Sequence, residues 1–406
     1  MKESPAVTVF VVVETGSKYE TKEINGISHF LEHMVFKGTP KRPHASAIAR
    51  ELDGLGSDYN AFTGDEYTGY YAKVDRRHLD TALDIISDMY LNPLLPENEI
   101  KKEKGVIIEE IRMYKDQPKR QVSDAMGELL YGDQPAGRSI TGPEENIRKF
   151  DRSTFLSYRA EHYVASATTV IVSGSVNEKE VVKKVEKLFK DIPMTPKAGK
   201  LAVKESQTKP ALKVVHKETD QTHLIIGLRT FAGGDKRARA MRVLSAILGG
   251  SMSSRLFSKM RDELGICYYV YSSHSTWTDH GFLGISAGVD TTRVDLAITT
   301  ILAEIKRFTT ELVTSEELKR AKDYIAGTMM LGLETSDSQA EFAGFQEILL
   351  KKIKTPEEII KEIKKVTAKD IRDLAETFFS DKGLNLAIIG PYKDAPRFEK
   401  LLTFGK

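Results

Sequence analysis

Apolar and polar positions along this chain follow two periods, one of strands and one of helices. Pro5 to Glu14 is a valine-rich run of strand length. Residues 44–53 carry a short helical pattern. Tyr59-Asn60-Ala61-Phe62-Thr63 and Tyr67-Thr68-Gly69-Tyr70-Tyr71-Ala72 read as strands, with Gly64-Asp65-Glu66 as the turn between them. From His78 to Leu91 the residues Leu79, Ala82, Leu83, Ile86 and Met89 recur on one helical face, and Asn92-Pro93 stops the helix. Pro96 opens a long charged helix that runs to about Tyr114. Another helix starts near Asp151, and Thr168 to Ser173 is a strand. Residues 193–210, with Pro193, Pro196, Gly199 and Pro210, have no period and read as a linker.

After the linker the pattern begins again. Lys2-Glu3 before a strand recurs as Lys217-Glu218, and Val74-Asp75 before an amphipathic helix recurs as Val289-Asp290, a displacement of 215 residues in both cases. Ser315-Glu316-Glu317-Leu318 opens a charged helix as Glu97-Asn98-Glu99-Ile100 does, and Leu386 to Gly390 ends the second unit as Val170 to Gly174 ends the first. A period this long means duplicated α+β domains rather than a solenoid. The expected division is 1–192, a linker 193–210, and 211–406. The second half opens with a further strand, Ala211 to His216. Its counterpart would precede Met1, so the first unit is expected to lack a strand of about six to ten residues.

Length agrees with two domains, since 406 residues exceed one ordinary core. The net charge is +2, from 60 basic and 58 acidic residues, which gives no support to a nucleic-acid or membrane-surface partner. No apolar run reaches membrane-span length. Cys267 is the sole cysteine, so no internal disulfide forms, and between Ile266 and Tyr268 it reads as a packed core thiol. No basic-then-apolar secretory pattern follows Met1, and the expected location is cytoplasmic.

The chemistry concentrates in His29-Phe30-Leu31-Glu32-His33. Residues four apart on a helix share a face, so His29 and His33 present two imidazoles to one point. That spacing suits zinc, with Zn–N distances of about 2.0–2.1 Å. Glu32 lies beside the same face, within reach of a metal-bound water. The order His-x-x-Glu-His inverts the common zincin motif, and both are hydrolytic signatures. Against this stands the plainer possibility of core histidines with satisfied hydrogen bonds. A catalytic zinc also wants a third protein ligand.

Glu103 and Glu110 are seven apart on the long charged helix and share a face, whereas Glu109 is rotated by about 100°. Two carboxylates beside Val106 and Ile107 are costly to bury unless paired with charge. Zinc would offset that cost, with Glu110 as ligand and Glu103 orienting a ligating histidine. The competing reading is a solvated charged helix, since Lys101, Lys102, Lys104 and Arg112 interleave.

Over nearly its whole length the chain resembles the pitrilysin/insulinase family of inverted zinc metallopeptidases. It is most similar to the two-domain bacterial members and to the catalytic subunit of mitochondrial processing peptidase. The resemblance rests on the histidine motif, Asn60-Ala61-x-Thr63, Glu103 through Glu110, the duplication, and Gly249-Gly250-Ser251-Met252-Ser253-Ser254-Arg255-Leu256-Phe257. It implies an α+β fold of two tandem homologous α/β-sandwich domains, each an antiparallel or mixed sheet covered by helices, of the LuxS/metallohydrolase-like kind. It implies Glu110, 77 residues past His33, as third ligand, although Glu109 also satisfies the spacing. It further implies that Arg261 and Tyr268 reach the peptide beside the zinc, and that Asn60, Ala61 and Thr63 lie on the edge strand to which substrate adds.

The resulting expectation is a zinc metalloendopeptidase for extended or unfolded peptides. It would hold one zinc per chain on His29, His33 and Glu110, with Glu32 as general base and acid and Tyr268 and Arg261 on the substrate. The second half lacks a His-x-x-Glu-His motif and is expected to be non-catalytic. Two-domain members usually close a chamber from two chains, which implies a homodimer. Two other classes compete: a non-catalytic structural or peptide-binding subunit of a processing-protease-like complex, and a thiol protein built on Cys267.

Overall fold

In the computed structural model, which describes residues 4–393 and 395–405, the valine run forms β1 (Ala6–Val13) inside a four-stranded antiparallel sheet. The strand order is β2 (Asp58–Thr63), β3 (Thr68–Asp75), β1, β4 (Thr168–Gly174). Lys2-Glu3 and the strand expected before Met1 lie outside the described residues.

Period two explains why β1 is apolar at nearly every position. Val7, Val9, Val11 and Val13 enter one core with Phe30, Leu31, Met34, Leu83 and Ile86. Phe10 and Val12 face the other way, against Ala340 and Ile348 of the helix Ser336–Leu350. The exception, Thr8, is buried and shares a hydrogen bond with the Ser336 hydroxyl at 2.8 Å. That helix approaches closely: a Cβ added at Gly344 would stand 3.2 Å from both Phe10 and Ile171 carbons. A sheet covered on both faces needs apolar residues on both.

The second unit repeats the plan with five strands in the order β5 (Ala211–His216), β9 (Leu384–Gly390), β6 (Gln221–Arg229), β8 (Gly281–Asp290), β7 (Cys267–Thr276). β5 runs parallel to β9, and the other neighbours are antiparallel. The duplication is kept in register: Ala6 opposes Asp75 in the first sheet and Gln221 opposes Asp290 in the second. Both aspartates cap the turn that follows, Asp75 accepting from the Arg77 N–H and Asp290 from the Thr292 N–H. The α+β class expected from the pattern is therefore what the chain adopts.

The two compact units are not contiguous in sequence. The first comprises the chain to Met113, Arg138–Leu201 and Gly332–Ile353; the second comprises Tyr114–Gly137, Ala202–Leu331 and the chain from Lys354. Helix Pro118–Tyr131 buries Val122, Ala125 and Met126 against Ile225, Ala387 and Ile389 of the second sheet. Its duplicate, Ser336–Leu350, covers the first sheet. Each half of the chain thus lends one helix to the unit built mainly from the other half. Residues 193–210 carry no helix or strand, as the absence of periodicity predicts.

Candidate active site

The His-x-x-Glu-His motif forms the helix Ile27–Val35, and its start is fixed from outside. Gly26, at φ +102°, makes a turn that a side chain would not tolerate: a Cβ there would stand 2.6 Å from the Thr141 carbonyl oxygen. The buried Glu20 carboxylate accepts from the backbone N–H groups of Gly26 and Ser28 and from the Asn25 amide, each at 2.8 Å. It thereby satisfies two of the orphan donors of the helix N-terminus, while the Ile27 N–H donates to the Ile24 carbonyl at 3.0 Å. Burial raises the Glu20 pKa, and these donors oppose the rise. Phe30, Leu31, Met34 and Val35 are fully buried, with Phe30 edge-on to Phe155 at 4.9 Å. That face locks the rotation of the helix, and the rotation aims the polar residues.

His29 and His33 lie one turn apart with ring centroids 4.7 Å from each other. The Nε2 atoms of both stand 3.6 Å from one oxygen, Oε2 of Glu110. A contact of 3.6 Å is no hydrogen bond. It is close to the ~3.4 Å that separates two ligands of a tetrahedral ion with bonds of about 2.0–2.1 Å. Two imidazole nitrogens and a carboxylate oxygen, the donor types zinc takes, thus converge within 4.8 Å of one another. The donor set fits a zinc ion.

Glu110 comes from the helix Glu97–Asp116. The neighbouring Glu109 turns away, and its carboxylate accepts from Arg112 at 2.6 Å. Glu103, two turns before Glu110, accepts from His33 Nδ1 at 2.9 Å and pairs with Lys37 at 2.6 Å. Burial alone would raise the Glu103 pKa, but those two donors outweigh it and hold it below the ordinary value. For His33, burial disfavours the imidazolium, yet Glu103, Glu32 and Glu110 outweigh that and hold its pKa above the ordinary value. The His33–Glu103 bond fixes the ring so that Nε2 faces Glu110.

Glu32 is held by one bond from the strand: Thr63 Oγ1 donates to Glu32 Oε2 at 2.6 Å. Burial is the largest influence on the Glu32 pKa and raises it, with the Thr63 bond opposing. Thr63 ends β2, the edge strand of the first sheet, and Ala61 on the same strand face belongs to the core beneath the histidine helix. Asn60 is exposed, its side-chain oxygen accepting from the Ala61 N–H at 2.9 Å.

Arg261 and Tyr268 belong to the second unit and are joined to each other. Arg261 sits in the π-helical turn Ser258–Glu263, and its guanidinium donates to the Tyr268 carbonyl. Tyr268 is the extra residue of a β-bulge, since Cys267 opposes Val289 while Tyr269 opposes Gly288. A bulge re-aims the side chain it carries, and the Tyr268 side chain is exposed. Cys267, expected in a packed core, is only half-buried, because it opens the edge strand β7. Burial still pushes its thiol pKa up, which disfavours the nucleophilic thiolate.

Three partners escape a reading of the sequence: Glu20 at the helix start, Lys37 on Glu103, and Thr63 as the holder of Glu32. Lys37 alone left a local signal, one helical turn beyond His33.

The model of the family described as Insulinase (Peptidase family M16) matches residues 1–144, and that described as Peptidase M16 inactive domain matches residues 149–325. The chain is 39% identical over 391 residues to the uncharacterized zinc protease YmxG of Bacillus subtilis, covering 96% of this chain and 94% of the relative. It is 36% identical over 390 residues to an uncharacterized zinc protease of Rickettsia felis, covering 95% and 92%. Among solved structures, a protease from Helicobacter pylori shares the fold with a TM-score of 0.90 at 21% identity, covering 96% and 95% of the two chains.

Proposed function

The chain belongs to the insulinase family of peptidases, family M16, and on that premise we propose that it is a zinc-dependent metalloendopeptidase acting on extended or unfolded peptides. The observation that carries this reading is the convergence of His29, His33 and Glu110 on one point beside Glu32. Relatives named zinc proteases support the choice of metal.

His29 Nε2, His33 Nε2 and Glu110 Oε2 would hold one zinc ion. Bound there, zinc supplies Lewis acidity, which makes water nucleophilic near pH ~7 and polarises a peptide carbonyl. Glu32 takes the proton of the attacking water and delivers it to the leaving amine. Its burial, which disfavours the bare carboxylate, makes it a stronger base than a solvated glutamate. Glu103 and Lys37 keep His33 in the tautomer that offers Nε2.

The peptide would add as a strand to the open edge of β2, along Asn60, Ala61 and Thr63, so that backbone is read before side chain. Arg261 would clamp peptide carbonyls and Tyr268 would donate to the developing oxyanion. On this reading residues 1–192 supply the catalytic domain, 193–210 the linker and 211–406 the non-catalytic, substrate-contacting domain, apart from the two helices that the halves exchange. A homodimer closing a chamber follows from the family resemblance, because one chain carries both the metal set and the Arg261–Tyr268 pair; sedimentation equilibrium tests it. A cytoplasmic setting agrees with a single, unpaired cysteine. No helix among the described residues is long and apolar enough to cross a membrane.

The test is cleavage of a quenched, extended peptide. The wild type should cut it, lose activity to a chelator and regain it with zinc, while Glu32→Gln binds zinc and cuts nothing. A wild type that binds no zinc would favour a non-catalytic structural or peptide-binding subunit instead.

A further inference from the structure

The hydroxyl of Thr63 has a single proton, and it goes to Glu32 Oε2 across 2.6 Å. Two features make that bond a fixed one. Strand parity comes first: Phe62 packs with the aromatic cluster on the far face of the sheet, so Ala61 and Thr63 face the histidine helix. The second is the hairpin turn that follows. Ser17 and Lys18 donate their backbone N–H groups to the carbonyls of Gly64 and Asp65, at 3.3 and 2.8 Å. Lys18 Nζ meets Glu66 Oε1 at 3.0 Å, with both side chains 1% exposed. Breaking a buried pair of this kind is strongly unfavourable, so the turn cannot shift without a large cost, and the end of β2 cannot shift without the turn.

We propose that Thr63 is a positioning residue that tethers Glu32 to the strand receiving the peptide. The base and the substrate strand are then one rigid body, and the register of a bound peptide is set relative to the carboxylate that serves its scissile bond. The tether occupies Oε2 and leaves Oε1 to handle the proton. This inference rests on the reading of Glu32 as the general base, and it gives Thr63 a task distinct from backbone contact with the peptide.

The experiment compares wild type, Thr63→Val, Thr63→Ser and Glu32→Gln. Valine keeps the shape and removes the hydroxyl; serine keeps the hydroxyl. Thr63→Val should bind zinc as the wild type does, keep KM within about twofold and lose roughly tenfold to a hundredfold in kcat, the range for partners that orient a site. Thr63→Ser should recover most of that loss. In crystals of metal-free Thr63→Val, the Glu32 carboxylate should leave the position it holds in the wild type. A Thr63→Val enzyme with wild-type kcat, or one whose loss lies in KM, overturns the proposal. So does a Glu32 carboxylate that stays in place, whatever the activity. Cleavage that survives in Glu32→Gln would instead remove the base reading, and the crystallographic comparison would still decide whether Thr63 holds Glu32.

Discussion

The helix Ile27–Val35 of the first unit and the helix Ala238–Gly249 of the second occupy the same place in the duplication. Carried forward by 215 residues, His29, Glu32 and His33 fall on Leu244, Ile247 and Leu248, and Glu110 falls on Ile325. Those four apolar residues are 0%, 4%, 0% and 3% exposed. One scaffold therefore carries a polar, metal-shaped cluster in the first unit and ordinary core in the second. The fold does not need the cluster, since a buried leucine contributes about 1.5–3 kcal/mol where a buried polar group costs free energy unless partnered. On the proposed function, the first unit gives up that stability for chemistry, and function resides in the site rather than in the architecture.

The largest effect should come from giving the first unit the second unit's residue. Glu110→Ile should lose zinc and fall at least about a thousandfold in cleavage, as expected when a three-ligand site loses one; metal analysis and the peptide assay read both. Retention of zinc would mean that other donors hold it. A smaller step is Glu103→Leu, again the residue found at the displaced position, Leu318. It leaves Lys37 and His33 without their shared acceptor, and zinc affinity should fall by about tenfold to a hundredfold in a competitive chelator titration.

The comparison also predicts a gain. In metal-free protein, His29→Leu combined with His33→Leu and Glu103→Leu, which removes the buried His33–Glu103 pair whole, should raise stability by about 1–3 kcal/mol in denaturant unfolding. Unchanged or lower stability would show that these three residues are not a cost.

The smallest effect is one the two units share. Burial lowers the pKa of His162 in the first unit and of His274 in the second to about 4. Their neutral forms are favoured in the fold, so this stability is complete above about pH 6.5 and is lost as pH falls towards about 4. Each contributes a slope of at most ~1.4 kcal/mol per pH unit. Unfolding of metal-free His162→Gln between pH 7 and pH 5 should be less steep than that of the wild type; an identical slope would contradict the assignment.

Much of this was legible in the residues. The valine run announced β1, the four-residue histidine spacing announced a shared face, and the seven-residue spacing of Glu103 and Glu110 announced a second one. The 215-residue displacement survives as strand register. What stayed hidden depends on tertiary placement. An amphipathic helix declares that it buries a face, not which sheet it buries it against, so nothing local reveals that Pro118–Tyr131 and Ser336–Leu350 serve opposite halves. Thr63 reaches Glu32 only because a hairpin turns back beside the helix, 31 residues away in sequence. The bulge at Tyr268 leaves no mark in a run of strand-forming residues. Cys267 has apolar neighbours and so reads as core, but an edge strand half-exposes its first residue.

The most direct test of the central claim is an anomalous difference map at the zinc edge from crystals of the zinc-loaded protein. One peak per chain is predicted, at bonding distance from His29 Nε2, His33 Nε2 and Glu110 Oε2, with none near Leu244, Leu248 or Ile325. No peak at the histidines, or a peak bound by other residues, would contradict it.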